Sequence, residues 1–244
     1  MVQRQAQGAW ETGAGVGRLR ARPGAGQPPP LESPPTGSRP LGLERVRDGL
    51  LHVPPGYDAA LPAPLVVMLH GAGGDAPNVL GALAGLADRH GLLLLLPDSR
   101  GPTWDVIAGG WGPDVAFLDR ALSAVFEEYA VDPARLAVAG FSDGASYALS
   151  LGLANGDLFT HVVAFSPGFA APPSRHGAPR VFVSHGTADR VLPIDRCSRR
   201  LVPRLEADGY DVTYREFPGG HAIPPAVAAA AVGWLGGRAV EGDA

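Results

Sequence analysis

The sequence predicts an α/β domain: a mostly parallel central sheet with helices on both faces and no large cap domain. Short apolar runs of the kind that strands buried on both faces require recur along the chain, at residues 65–69, 92–96, 136–139, 162–165 and 181–184. Between them lie stretches whose apolar residues repeat at helical spacing. Alternation of the two is the pattern of strand, crossover helix and parallel strand. At 244 residues and 45% hydrophobic content, the chain can bury the core of one such domain undivided.

In chain order, residues 1–40 are rich in Gly, Pro and Arg and read as a tail, with an edge strand near 17–22 where polar and apolar residues alternate. Residues 41–237 then form the single domain, and 238–244 a second tail. Residues 48–53 are a better strand, closed by the turn Pro54-Pro55-Gly56-Tyr57-Asp58, and should open the sheet in antiparallel fashion. The strand at 65–69 runs into His70-Gly71-Ala72-Gly73-Gly74-Asp75, and a helix over 79–90 turns Leu80, Leu83, Leu86 and Ala87 inward. The strand at 92–96 stops at Pro97. A loop over 98–113 carries Trp104, Ile107 and Trp111, and a helix over 114–129 has apolar residues at Val115, Leu118, Leu122, Val125 and Phe126. After the strand at 136–139 the spacing of Ala145, Ala148, Leu149 and Leu151 is helical. Strands at 162–165 and 181–184, a helix near 196–208, a strand at 212–216 and a helix near 224–235 complete the series.

Composition excludes several classes of function. A net charge of −4 leaves no electrostatic footprint for nucleic acid, and every basic residue other than histidine is arginine. The arginine groups at Arg18, Arg20 and Arg22 and at Arg196, Arg199, Arg200 and Arg204 read as solvated faces. With Cys197 as the one cysteine, no intrachain disulfide can form. No apolar stretch reaches the length of a membrane span, and residues 1–17 lack the apolar core of a signal peptide, so a cytoplasmic location with no stable membrane insertion is the expectation. Oligomeric state is not readable.

The chemistry centres on LAVAGFSDGAS at 136–146, where G-x-S-x-G falls between a strand and a helix. At such an elbow the chain reverses sharply, the positions two residues either side of the serine must lack bulk, and Ser142 is exposed above the N-terminus of the helix as a nucleophile. A serine hydroxyl needs a histidine base, and that base a carboxylate that fixes its tautomer. For a parallel sheet of this pattern the chain order is serine, acid, histidine, each partner lying just beyond the C-terminal end of a strand. His221, in Phe217-Pro218-Gly219-Gly220-His221, is the one histidine beyond the last strand and is assigned as base. Asp189 is assigned as acid, with Asp195 its competitor at the expected start of the next helix. His185 follows a strand but precedes the acid, and reads as hydrogen-bonded within its own turn; His70 reads as holding its loop. Attack on a carbonyl creates an oxyanion, for which the N–H of Asp143 and of Ala72 are the expected donors.

These residues carry a resemblance. With LHGAGGD at 69–75, GFSDG at 140–144, SHGTADRVLP at 184–193 and GGH at 219–221, the chain resembles the α/β-hydrolase superfamily, and within it the phospholipase/carboxylesterase-like serine esterases, near dienelactone hydrolases and polyhydroxybutyrate-depolymerase-like esterases. The resemblance spans residues 41–235 and implies the same nucleophile, acid, base and oxyanion donors. Two departures stand out: dienelactone hydrolases typically use a cysteine nucleophile, and secreted polyester depolymerases typically carry a signal and disulfides.

The sequence therefore predicts a cofactor-free, metal-free carboxylic-ester hydrolase acting through an acyl-enzyme on a small-molecule ester, short- to medium-chain or aromatic. A thioesterase or lysophospholipase would use the same residues, and a non-catalytic binding protein could share the scaffold. Residues 167–179 are too few for a helical cap, so the site should be open. Trp104, Trp111 and Phe169, in loops at the expected rim, and Val191 and Ile223 beside the acid and base, are the candidate substrate pocket.

Overall fold

A computed structural model describes residues 13–24 and 34–236. Eight strands form one sheet: β1 (Gly37–Pro40), β2 (Gly49–Val53), β3 (Ala63–Leu69), β4 (Leu93–Pro97), β5 (Val131–Phe141), β6 (His161–Phe165), β7 (Arg180–Gly186) and β8 (Val212–Phe217). Their spatial order is β1-β2-β4-β3-β5-β6-β7-β8. The β1–β2 and β2–β4 pairs are antiparallel; the remaining pairs, from β4–β3 through β7–β8, are parallel. Parallel strands need crossovers, and helices α1 (Ala76–His90), α2 (Pro113–Glu128), α3 (Asp143–Ala154) and α4 (Ser198–Ala207) lie in all of them but the one from β6 to β7; α5 (Pro225–Leu235) follows β8.

Strand period divides the core in two. Leu65, Val67 and Leu69 of β3 point to one face and Val66 and Met68 to the other. The first face packs against α2, α3 and α4 through residues such as Leu118, Leu122, Leu149 and Val202; the second packs against α1 and α5 through Leu83, Ala87, Val227 and Ala231. Helix α3 is buried from Gly144 to Ala154, as befits a helix that is apolar on nearly every side. Helix α1 starts where the Asp75 carboxylate accepts the N–H of Asn78 at 3.1 Å, and ends at Gly91 with φ 61°.

The N-terminal region differs from the sequence reading. Residues 17–22 are not a strand. Gly17, Leu19 and Ala21 turn inward with the expected period of two, yet their backbone meets side chains instead of a sheet edge: Leu19 N–H donates to Asn155 Oδ1 (2.9 Å), and Arg20 and Ala21 N–H donate to Asp119 Oδ1 (2.6 and 2.8 Å). Arg18 and Arg22 are not simply solvated, because both pair with Asp157, at 2.8 and 2.7 Å. The sheet opens at Gly37, inside the Pro-rich stretch read as tail. Among the described residues no helix is long and apolar enough to cross a membrane.

Candidate active site

Strand β5 delivers Ser142 at its C-terminal end, directly before α3. The serine sits at φ 57° and ψ −119°, a conformation that costs an L-residue about 1–3 kcal/mol. Its N–H donates to Phe165 O of β6 (3.0 Å), and its carbonyl accepts the first helical bonds from Ala145 and Ser146, so the reversal is tied on both sides. Space dictates the flanking glycines. A Cβ on Gly140 would collide with the Gly144 carbonyl, and one on Gly144 with the carbonyls of Leu69 and His70.

The three residues singled out in the sequence come together. His221 Nε2 lies 2.8 Å from Ser142 Oγ, and His221 Nδ1 lies 2.6 Å from Asp189 Oδ2. The carboxylate fixes the proton on Nδ1, so Nε2 is free to accept from the serine hydroxyl. Asp189 has a wholly buried side chain, and burial pushes its carboxyl up. The bonds from His221 and from the N–H groups of Leu192 and Val191, both 2.9 Å to Oδ1, outweigh that and hold it below the usual carboxylate range. Asp195 is elsewhere: it is exposed, pairs with Arg199 at 2.8 Å, and does not cap α4, whose N-cap is Cys197.

The loop after β3 closes the other side. Gly71 packs beside Phe141 and Ser142, and Asp143 N–H is the first of α3, with no carbonyl within the helix to bond. No carbonyl among the described residues engages Ala72 N–H. Around these two donors the loop is held firmly: His70 Nδ1 donates to Gly71 O (2.7 Å), Ser99 N–H donates to His70 Nε2 (3.0 Å), and Gly73 N–H to Pro102 O (2.7 Å). Burial lowers the His70 pKa and so favours the neutral ring this pattern needs. Thr103 Oγ1 donates to Asp143 Oδ2 at 2.7 Å, a contact between residues forty apart for which the sequence offers no signal.

The candidate pocket residues divide. Trp104 is not on the rim: it is fully buried, stacks on Tyr147 at 5.1 Å, and donates its indole N–H to His70 O at 2.8 Å. A large aromatic whose N–H has a carbonyl within reach gains more by burial than by lining an open cleft. Trp111 is half-buried against Tyr147 and Gly17. Phe169 and Val191 are exposed, at 38% and 65%, and Ile223 is half-buried two residues beyond His221. Ser146, unremarked in the sequence, anchors the Phe169 loop: its Oγ accepts Gly168 N–H at 2.9 Å from one helical turn below Ser142. Only the four-residue spacing Ser142, Ser146, Ser150 hinted at this. Residues 166–179, between β6 and β7, contain no helix. Among the described residues no group of three or more His, Cys, Asp or Glu could hold a metal ion.

A sheet of this order, with Ser142, Asp189 and His221 just beyond the C-terminal ends of β5, β7 and β8, is the α/β-hydrolase fold. Among proteins of that fold the chain is similar to esterases. Residues 116–175 match the family model described as putative esterase. Feruloyl esterase C of Emericella nidulans is 30% identical over 183 residues, which cover 71% of this chain and 64% of that protein; the chain thus spans just under two thirds of the relative's length. The crystal structure of esterase PE8 superposes with a TM-score of 0.60 at 25% identity, covering 72% of this chain and 96% of that one. A ferulic acid esterase from Anaeromyces mucronatus, solved with ferulic acid, shares the fold with a TM-score of 0.60 at 19% identity over 82% of this chain and 89% of its own.

Proposed function

We propose that this protein is a serine esterase that cleaves carboxylic esters of small aromatic or short-chain acids through an acyl-enzyme. The observation that carries the reading is the continuous hydrogen-bonded relay from Ser142 Oγ through His221 to buried Asp189, at 2.8 and 2.6 Å. As His221 Nε2 takes the hydroxyl proton, Ser142 Oγ bonds to the ester carbonyl carbon, and the oxyanion that forms is met by the N–H groups of Ala72 and Asp143. Asp189 stabilises the imidazolium. Collapse of the intermediate breaks the bond to the leaving oxygen, which receives the proton from His221. Water, deprotonated by the same nitrogen, then releases the acid and restores Ser142.

The preference for an aromatic or short acid rests on the naming of the fungal relatives as feruloyl esterases and on the exposed ring of Phe169. Its loop is pinned to α3, the helix that follows Ser142. A panel of p-nitrophenyl acetate, butyrate and octanoate with methyl ferulate tests both statements. Saturable hydrolysis of the ferulate and the shorter esters, abolished in Ser142→Ala, is the expected result. Undiminished hydrolysis by Ser142→Ala would refute the mechanism, and a rate that rises steeply to octanoate would refute the substrate class.

A further inference from the structure

Asp189 does not meet His221 alone. His185, near the end of β7, is completely buried, and its Nε2 lies 2.8 Å from Leu192 O and 3.2 Å from Asp189 Oδ2. Its Nδ1 lies 2.7 Å from the hydroxyl of Ser198, the first residue of α4. Two acceptors face Nε2, so the proton belongs there, and Nδ1 accepts from Ser198. Asp189 Oδ1 is already occupied by the N–H groups of Val191 and Leu192. The carboxylate thus accepts three hydrogen bonds, two on Oδ1 and one from His221 on Oδ2, and His185 Nε2 stands 3.2 Å from that second oxygen, with none of the side chain open to water.

We infer that His185 is a positioning residue for the reaction: its Nε2–H bridges Leu192 O and Asp189 Oδ2, fixing where that oxygen stands and how strongly it holds a proton-bearing His221. The inference rests on reading Asp189 as the acid. A buried carboxylate oxygen facing a single donor would direct its charge at that donor alone, and the base would be reluctant to release its proton. A second donor on the same oxygen draws off part of that charge. His185 also spans β7, the acid loop and the start of α4, so the oxygen is located from three elements at once. The other titratable or charged groups near this pair are the buried Cys197 thiol at the N-cap of α4 and Glu216, opposite His185 on β8 and paired with Arg199.

The test compares His185→Leu, which keeps bulk and removes the donor, with His185→Gln, which retains an N–H near the place of Nε2. Kinetics are measured on p-nitrophenyl acetate per site titrated by a fluorophosphonate, so misfolded protein is not counted. A hydrogen bond to a charged group is worth roughly ten- to a hundredfold, and His185→Leu should lose kcat on that scale with KM within about twofold. The acid limb of its kcat/KM profile should move to higher pH, because the unshared carboxylate holds the proton on His221 more tightly. His185→Gln should recover most of the loss. A folded His185→Leu with wild-type kcat and acid limb overturns the inference, as does a Gln variant no better than Leu. If His185→Leu does not fold, Ser198→Ala, which frees the ring at Nδ1, carries the same test: a lower kcat with the limb displaced upward supports the inference, and an unchanged profile overturns it. Asp189→Asn is run alongside. Near-wild-type activity there sinks the acid assignment itself, whereas an inactive Asp189→Asn beside an unaffected His185→Leu sinks only the inference.

Discussion

Asp189→Asn changes one oxygen to an amide nitrogen, and the surrounding hydrogen bonds decide which one. Oδ1 accepts two backbone N–H groups, from Val191 and Leu192, so turning the amide nitrogen that way would set a donor against two donors. The oxygen therefore stays at Oδ1 and the NH₂ replaces Oδ2, where it faces His221 Nδ1 at 2.6 Å and His185 Nε2 at 3.2 Å. Opposed donors cannot persist at that distance. The His221 proton moves to Nε2, toward Ser142 Oγ, and the ring can no longer accept from the serine. In serine proteases, replacing the triad aspartate by asparagine lowers kcat about 10⁴-fold, or about 5 kcal/mol of barrier, and a loss on that scale is expected here. Asp195→Asn alters an exposed, solvent-screened side chain paired with Arg199 and should leave kcat within twofold or so. Steady-state hydrolysis of p-nitrophenyl acetate by both variants, with circular-dichroism melts to establish folding, makes the comparison. A folded Asp189→Asn within about tenfold of wild type, or a larger loss in Asp195→Asn, would refute the argument.

Ser142→Gly and Ser142→Ala should both be inactive, but the glycine variant should melt higher, since release from φ 57° is worth about 1–3 kcal/mol against about 0.5–1 lost to extra freedom of the unfolded chain; equal melting temperatures would show the elbow unstrained. Trp104→Ala should destabilise by about 3–5 kcal/mol and weaken all acyl substrates alike, whereas Phe169→Ala should spare stability and raise KM more for the longer or aromatic acids; chain-length dependence in Trp104→Ala would return that ring to the pocket. Asp114 is buried, which raises its carboxyl to about 6. Its stabilising contribution is thus complete below pH 4 and is lost as pH rises through about 6, by roughly 3 kcal/mol at most. Urea midpoints should show wild type gaining on Asp114→Asn as pH falls from 7 to 4.5, and a constant difference would contradict this.

Much of the site was legible because its parts lie where a parallel sheet must put them. Ser142, Asp189 and His221 each follow the C-terminal end of a strand, and apolar runs mark those ends clearly. The direction of a loop side chain carries no such mark: Trp104 and Phe169 both lie in loops, yet one is sealed under Tyr147 and the other faces solvent. At 17–22 the period of two was a true sign of one buried face and a false sign of pairing, because carboxylate and amide oxygens of Asp119 and Asn155 accept as a strand's carbonyls would. Strand β1 escaped notice because Gly37, Ser38, Arg39 and Pro40 form an edge with no buried residue to give it a pattern. His185 was placed in its turn, but no spacing rule reveals that the turn's lock also reaches the acid.

The segment around Leu19 bears on the order in which the molecule assembles. It leaves the ribosome before its acceptors Asp119, Asn155 and Asp157, which are synthesised about a hundred residues or more later. Until then Leu19 and Ala21 have nothing to pack against, and the groove between α2 and the end of α3 stands open. Docking must therefore wait for synthesis of the chain through the end of α3, which makes it a late step. It falls to the latest-formed contacts to set how fast a native molecule opens, so a bidentate arginine clasp between Arg18 and Asp157 acts on the lifetime of the folded state more than on the speed of reaching it.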